Sequence, residues 1–240
     1  MWLALMAFLP GEPTAADIIR RVDELTRGLT QQGHYTMVIV HPDWERVLEF
    51  EFWSEGTEKS FIRVDQPIRD KGVSFLKMES EMWQYVPRIN RVIKIPPSMM
   101  MQSWMGSDFT NDDLVKESSI IDDYEHRLLG TEPTEAGEAW LIELVPKPEA
   151  AVVWGKIREW IRKEDYNPIK AEFFNERDEL VRVMTYSDFK LMHDRVIPCK
   201  MELKQINKPG QLTRLIMSNI RFDEPIENQV FSMQHLRSSR

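Results

Sequence analysis

The sequence predicts one mainly β domain: a strongly curved antiparallel sheet or incomplete barrel of about eleven strands, with a helical lid and one N-terminal amphipathic helix. Three observations lead there. Runs that alternate apolar and polar residues with period two recur through most of the 240 residues, as half-buried strands do. The breaks between them are short and rich in Gly, Pro, Asn and Asp, which leaves room only for antiparallel meander pairing. Helical character is confined to a stretch near the N-terminus and to an insertion after residue 95. A sheet of this size must curl, and above about eight strands its interior is wide enough for a cavity.

In chain order, Ile18, Ile19, Val22, Leu25 and Leu29 recur at helical spacing and predict an amphipathic helix over 17–29, with Gly33 as its end. Strand-like runs follow at 35–40, at Leu48, Phe50 and Phe52, and at 59–64 beyond the Glu55-Gly56 turn. Further runs lie at 73–78, 81–86 and 90–95. After the insertion, strands are predicted at 119–129, 139–145, 154–163, 169–175, 180–191, 196–207 and 211–222. Several faces are bulky enough to wall a hollow: Leu48/Phe50/Phe52, Trp83/Tyr85 with Ile93, Trp140/Ile142/Leu144 and Met184/Tyr186.

The insertion, 96–114, has a composition of its own. Met99, Met100, Met101 and Met105 are soft and unbranched and repack around irregular apolar partners. Trp104 and Phe109 add flat apolar area. Thr110 and Asp113 form a capping-box pattern, with Phe109 and Leu114 placed as its hydrophobic staple. Gly106 is placed as the break, so the insertion reads as two short helices with a glycine hinge. Such a cluster is either a plug for the core or a contact surface for apolar cargo. The methionines lie between strands rather than on strand faces, and consecutive residues cannot all point one way on a short helix. Both points favour a lid over a plug.

Composition narrows the function. A net charge of -8 argues against nucleic acid as a partner and against a polybasic membrane anchor. One cysteine, Cys199, excludes an internal disulfide and reads as a small buried hydrophobe. Residues 2–9 form an apolar run followed by Pro10-Gly11 and the small-residue stretch Thr14-Ala15-Ala16. That is the pattern of a signal peptide over 1–16, truncated because no basic residue precedes Trp2. The alternative is an apolar segment packed on the domain. No metal, nucleotide or nucleophile motif is present. The acidic run 108–113 lacks the spacing of a calcium loop, and the 122–127 patch reads as a charge-mixed strand. Neither an enzyme nor a cofactor is expected.

Tyr85-Val86-Pro87, the basic and aliphatic residues to Ile95, Met-Gly-Ser-Asp-Phe-Thr at 105–110 and Asp113-Leu114 together resemble the outer-membrane lipoprotein-sorting proteins. These are the LolA-like periplasmic lipoprotein carriers. The stretch 163–174, with its acid, proline and aromatic strand, is similar too, and the resemblance covers most of residues 17–240, taken as one domain. It implies a half-open antiparallel barrel closed by helices, holding acyl chains of lipoprotein or another lipid in the hollow. It also implies an inner-membrane exporter, an outer-membrane acceptor and a periplasmic location. No cysteine lies near Ala16, so the chain resembles the soluble, monomeric carrier type rather than a lipid-anchored acceptor. The competing reading is a periplasmic module of the same fold that senses mislocalised lipoprotein and regulates a membrane partner. Arg63, Arg88 and Arg91 are candidates for steadying a head group, set against their being exposed strand arginines.

Overall fold

The computed structural model describes residues 12–115, 119–150 and 152–238. The apolar run at 2–9 lies outside the described residues. The first element among the described residues is helix α1 (Ala15–Arg27), followed by β1 (Thr30–His41), β2 (Trp44–Glu55), β3 (Lys59–Gln66), β4 (Ser74–Met78), β5 (Glu81–Val86) and β6 (Arg91–Ile95). A segment containing the five-residue helix α2 (Asn111–Val115) leads to β7 (Tyr124–Thr134). Then come β8 (Gly137–Pro146), β9 (Lys156–Arg162), β10 (Pro168–Phe174), β11 (Leu180–Met192), β12 (Arg195–Gln205), β13 (Leu212–Phe222) and α3 (Met233–Ser238).

The thirteen strands form one antiparallel sheet in the order β6-β5-β4-β3-β2-β1-β13-β12-β11-β10-β9-β8-β7. Each run named from the sequence forms a strand of its own, so the count is thirteen rather than about eleven. Two meanders, β1 to β6 and β7 to β13, join through the pairing of β1 with β13. This order puts β6 and β7, neighbours in sequence, at opposite edges. The 96–123 connection must therefore run the whole width of the sheet, which makes it a cover by topology.

Helix α1 starts earlier than the apolar spacing suggests. Thr14 is its N-cap, and Asp17 completes a capping box: the Asp17 N–H donates to Thr14 Oγ1 at 3.2 Å, and the Thr14 N–H to Asp17 Oδ2 at 3.2 Å. Thr14→Ala is expected to cost about 1 kcal/mol, measured by urea unfolding. The helix ends at Arg27, not near Gly33. Gly28 holds φ +66° there, and a Cβ on it would fall 2.6 Å from Asp223 Oδ1. Leu29, which fitted the helical period, is 79% exposed. Gly33 instead sits inside β1 at a bulge against β13.

Both sheet faces are buried in part. The inner face, under α1 and the 96–123 segment, carries the main core, including Ile18, Ile19, Met37, Leu48, Ile62 and Leu215. On the outer face a smaller cluster of Phe61, Leu76 and Tyr85 lies under Phe231 and Leu236 from the C-terminal segment. No helix among the described residues is long and apolar enough to cross a membrane.

Candidate functional site

The cover is pinned strand by strand as it crosses the sheet. Near β6 a 3₁₀ turn spans Pro97–Met99. Trp104 then drops onto the inner face and is 0% exposed, with its ring 5.2 Å from Phe50 and 5.4 Å from Phe75. Arg46 donates to the Met105 carbonyl at 3.0 Å and pairs with Asp70 at 2.7 Å. Asp108 is buried: it accepts from Thr213 at 2.9 Å and Gln205 at 3.0 Å, while its own N–H donates to Thr213 Oγ1 at 2.9 Å. Asp113, on α2, meets Arg182 of β11 in a two-pronged pair with both contacts at 2.7 Å.

Two helices with a glycine hinge were expected in this segment; the second is present as α2, whereas the first is only the 3₁₀ turn at Pro97–Met99, and the residues between them form a compact loop. Its backbone closes on itself through the Trp104 N–H to Phe109 carbonyl (2.8 Å), Asn111 N–H to Gln102 carbonyl (3.0 Å) and Asp112 N–H to Met100 carbonyl (3.0 Å) bonds. Gly106 turns within that loop at φ +84°, away from any helix end. The capping box is present: Thr110 N–H donates to Asp113 Oδ2 at 2.8 Å and Asp113 N–H to Thr110 Oγ1 at 3.1 Å. Phe109 and Leu114 are both buried in the main core. The methionines divide. Met100 is buried and Met105 packs on the core, but Met99 and Met101 are 38% and 39% exposed. Successive residues in a tight turn face different ways, so Trp104 and Phe109 provide most of the apolar contact.

Between this cover, α1 and the sheet lies a cavity of about 240 Å³. Phe50, Phe52, Met184 and Tyr186 of the expected wall line it, with Phe109 and Leu114 of the cover. Leu48, Ile142 and Leu144 belong to the same inner face but are core beneath it. Trp140 packs on Tyr166 at 5.1 Å, and Ile93, expected in the wall, is 45% exposed on edge strand β6 and does not line the cavity. Trp83 and Tyr85 are on the other face, in the outer cluster. Period two separates the two faces of a strand without saying which is inward, and here the C-terminal segment buries the outer one. Leu236→Ala is expected to destabilise the domain by about 2–5 kcal/mol and leave ligand binding in the cavity unchanged, checked by denaturation and titration together.

The cavity is not purely apolar. Arg182, 4% exposed at its side chain, lines it with Asp113, Glu159 and Asp112. Its guanidinium packs against the rings of Trp154 (4.3 Å) and Phe173 (4.1 Å). Burial works to raise the Asp113 pKa, but the hydrogen bonds and charge of Arg182, with bonds from Thr110, outweigh it and hold the carboxyl below its ordinary value. Burial pushes the Tyr35 and Tyr186 phenols well above their usual range, so both stay neutral. Sequence reading missed Arg182, although Met184 and Tyr186 on the same strand face had been picked out. Arg88 and Arg91 are exposed, and Arg63 lies on the outer face over Trp53. No group of three or more His, Cys, Asp or Glu suited to a metal occurs among the described residues.

The 163–174 stretch builds scaffold. Asp165 takes a two-pronged contact from Arg162 (2.8 and 2.6 Å) and a bond from Asn167 (2.7 Å), fixing the β9–β10 turn.

A DUF1329 family protein from Desulfovibrio piger shares the fold at a TM-score of 0.84 and 22% identity, over 92% of this chain and 97% of that one. A protein described as an outer membrane lipoprotein-sorting domain, from Vibrio parahaemolyticus, follows at 0.81 and 22%, over 93% and 98%. A LolA superfamily protein from Nitrosomonas europaea reaches 0.79 and 20%, over 93% and 99%. Among curated proteins, none matches the chain. Residues 56–238 match a family model described as "uncharacterized protein", well over half of the 240 residues, and the chain belongs to that family, built on the LolA-like fold.

Proposed function

We propose that this protein is a periplasmic carrier that takes lipoprotein acyl chains, or another lipid, into the inner-face cavity and delivers them toward the outer membrane. An inner-membrane exporter would load it and an outer-membrane acceptor would unload it. The observation that carries this reading is a mostly apolar cavity roofed by a segment that crosses the sheet from one edge to the other. The volume supports a loading step. At about 240 Å³ the cavity is below the roughly 300–1,000 Å³ of sites that enclose drug-sized ligands, so cargo enters only if the cover gives way. Each buried methylene contributes about 0.8 kcal/mol, which offsets the displaced contacts of Trp104 and Phe109. Closed and loaded states then lie close in energy, and cargo can be handed on without a reaction at this protein.

Purification from the host under non-denaturing conditions, followed by mass spectrometry of the bound material, tests the proposal. Co-purified lipopeptide or lipid at near-stoichiometric amounts is expected. A protein that is empty as isolated and takes up neither diacylated lipopeptide nor single-chain lipid would overturn it.

A further inference from the structure

Arg182 is an unusual feature for an apolar cavity, and its surroundings explain what it could recognise. The side chain is almost fully buried, and its Nε–H has no hydrogen-bond partner among the described residues. Trp154 and Phe173, adjacent rings with centroids 5.2 Å apart, both pack against the guanidinium, so it has apolar contacts besides its pair with Asp113. Asp113 belongs to the cover, whereas Arg182 belongs to the sheet. Lifting the cover therefore removes the carboxylate that the Arg182 fork holds, which is unfavourable for a buried cation unless another anion takes its place.

We propose that Arg182 is the head-group site of the cavity and that its ligand is an aliphatic carboxylate, which displaces Asp113 and so releases the cover. The proposal rests on the carrier reading and names the chemistry of the cargo. The fork of Arg182 already holds a carboxylate in the two-pronged geometry, so a ligand carboxylate replaces Asp113 like for like. Phe50, Phe52, Met184 and Leu114 provide the apolar lining for the chain. Glu159 and Asp112 also line the cavity. The closed pair and the loaded pair are the same interaction with a different carboxylate, which couples head-group arrival to opening.

The test is titration calorimetry of the lipid-stripped full chain with dodecanoate, dodecanol and dodecylamine, which share one chain length and differ in the head. The wild-type protein is expected to bind dodecanoate about tenfold more tightly than dodecanol. Asp113→Asn removes the competing carboxylate and is expected to widen that ratio, while Arg182→Gln abolishes it. Should Arg182→Gln fail to fold, Asp113→Asn decides alone, because a merely structural pair would weaken dodecanoate binding when broken. Equal affinity for dodecanoate and dodecanol, or a preference for dodecylamine, overturns the carboxylate site and leaves the carrier reading standing. Uptake of diacylated lipopeptide with no binding of the three probes has the same meaning. Failure to bind any of the four overturns both.

Discussion

Trp104→Ala is expected to be among the most damaging single substitutions in the chain, lowering stability by about 3–5 kcal/mol and the thermal midpoint by on the order of ten degrees. Trp104 is wholly buried against Phe50 and Phe75, and it is the largest side chain by which the cover grips the sheet. Its Nε1–H has no partner among the described residues, a desolvation cost of about 1–3 kcal/mol carried by the closed state. That leaves the cover less firmly held than its contact area suggests. Trp104→Phe, which keeps an aromatic ring and removes the orphan donor, should lose much less than the alanine variant. Scanning calorimetry of the two variants checks both statements. An unchanged midpoint for Trp104→Ala would mean that the cover does not rest on the sheet in solution.

Arg182→Leu is expected to cost about 3–5 kcal/mol, because it leaves the Asp113 carboxylate buried without its counter-charge. The double change Arg182→Leu with Asp113→Leu should recover most of that loss. A double-mutant cycle in guanidinium unfolding measures the difference. The pair also has a pH signature. The folded-state pKa of Asp113 is depressed below 3.8, so its contribution is complete above that value. It is lost as pH falls through the lower, folded value. Wild-type protein should therefore lose stability more steeply below about pH 4 than Asp113→Asn does.

Much of this architecture could be read from the residues. Alternation such as Leu48, Phe50, Phe52 against Val47, Glu49, Glu51 marks a strand whatever surrounds it. The departure in composition at 96–114 marked an insertion between strands. What escaped was information held in the strand order. Only the β1–β13 pairing sends β6 and β7 to opposite edges, and only that explains why the connection crosses the sheet. Trp83 and Tyr85 were assigned inward because a bulky face normally is; Phe231 and Leu236, far along the chain, turn out to cover them. Arg182 could have been found. It shares the face of Met184 and Tyr186 by simple alternation, and an arginine in phase with an apolar row needs a buried partner. Asp113 had been read only as a helix cap, and the same carboxylate serves both contacts.

The central claim is that the segment over the cavity opens to admit lipid. Hydrogen exchange compares the lipid-stripped chain with the same chain saturated by its co-purified lipid. In the closed form, the Trp104, Asn111 and Asp112 amides are bonded within the loop. Loading is expected to speed exchange across residues 99–114 while the β1, β12 and β13 amides stay protected. Identical exchange in that segment with and without saturating lipid would contradict the account.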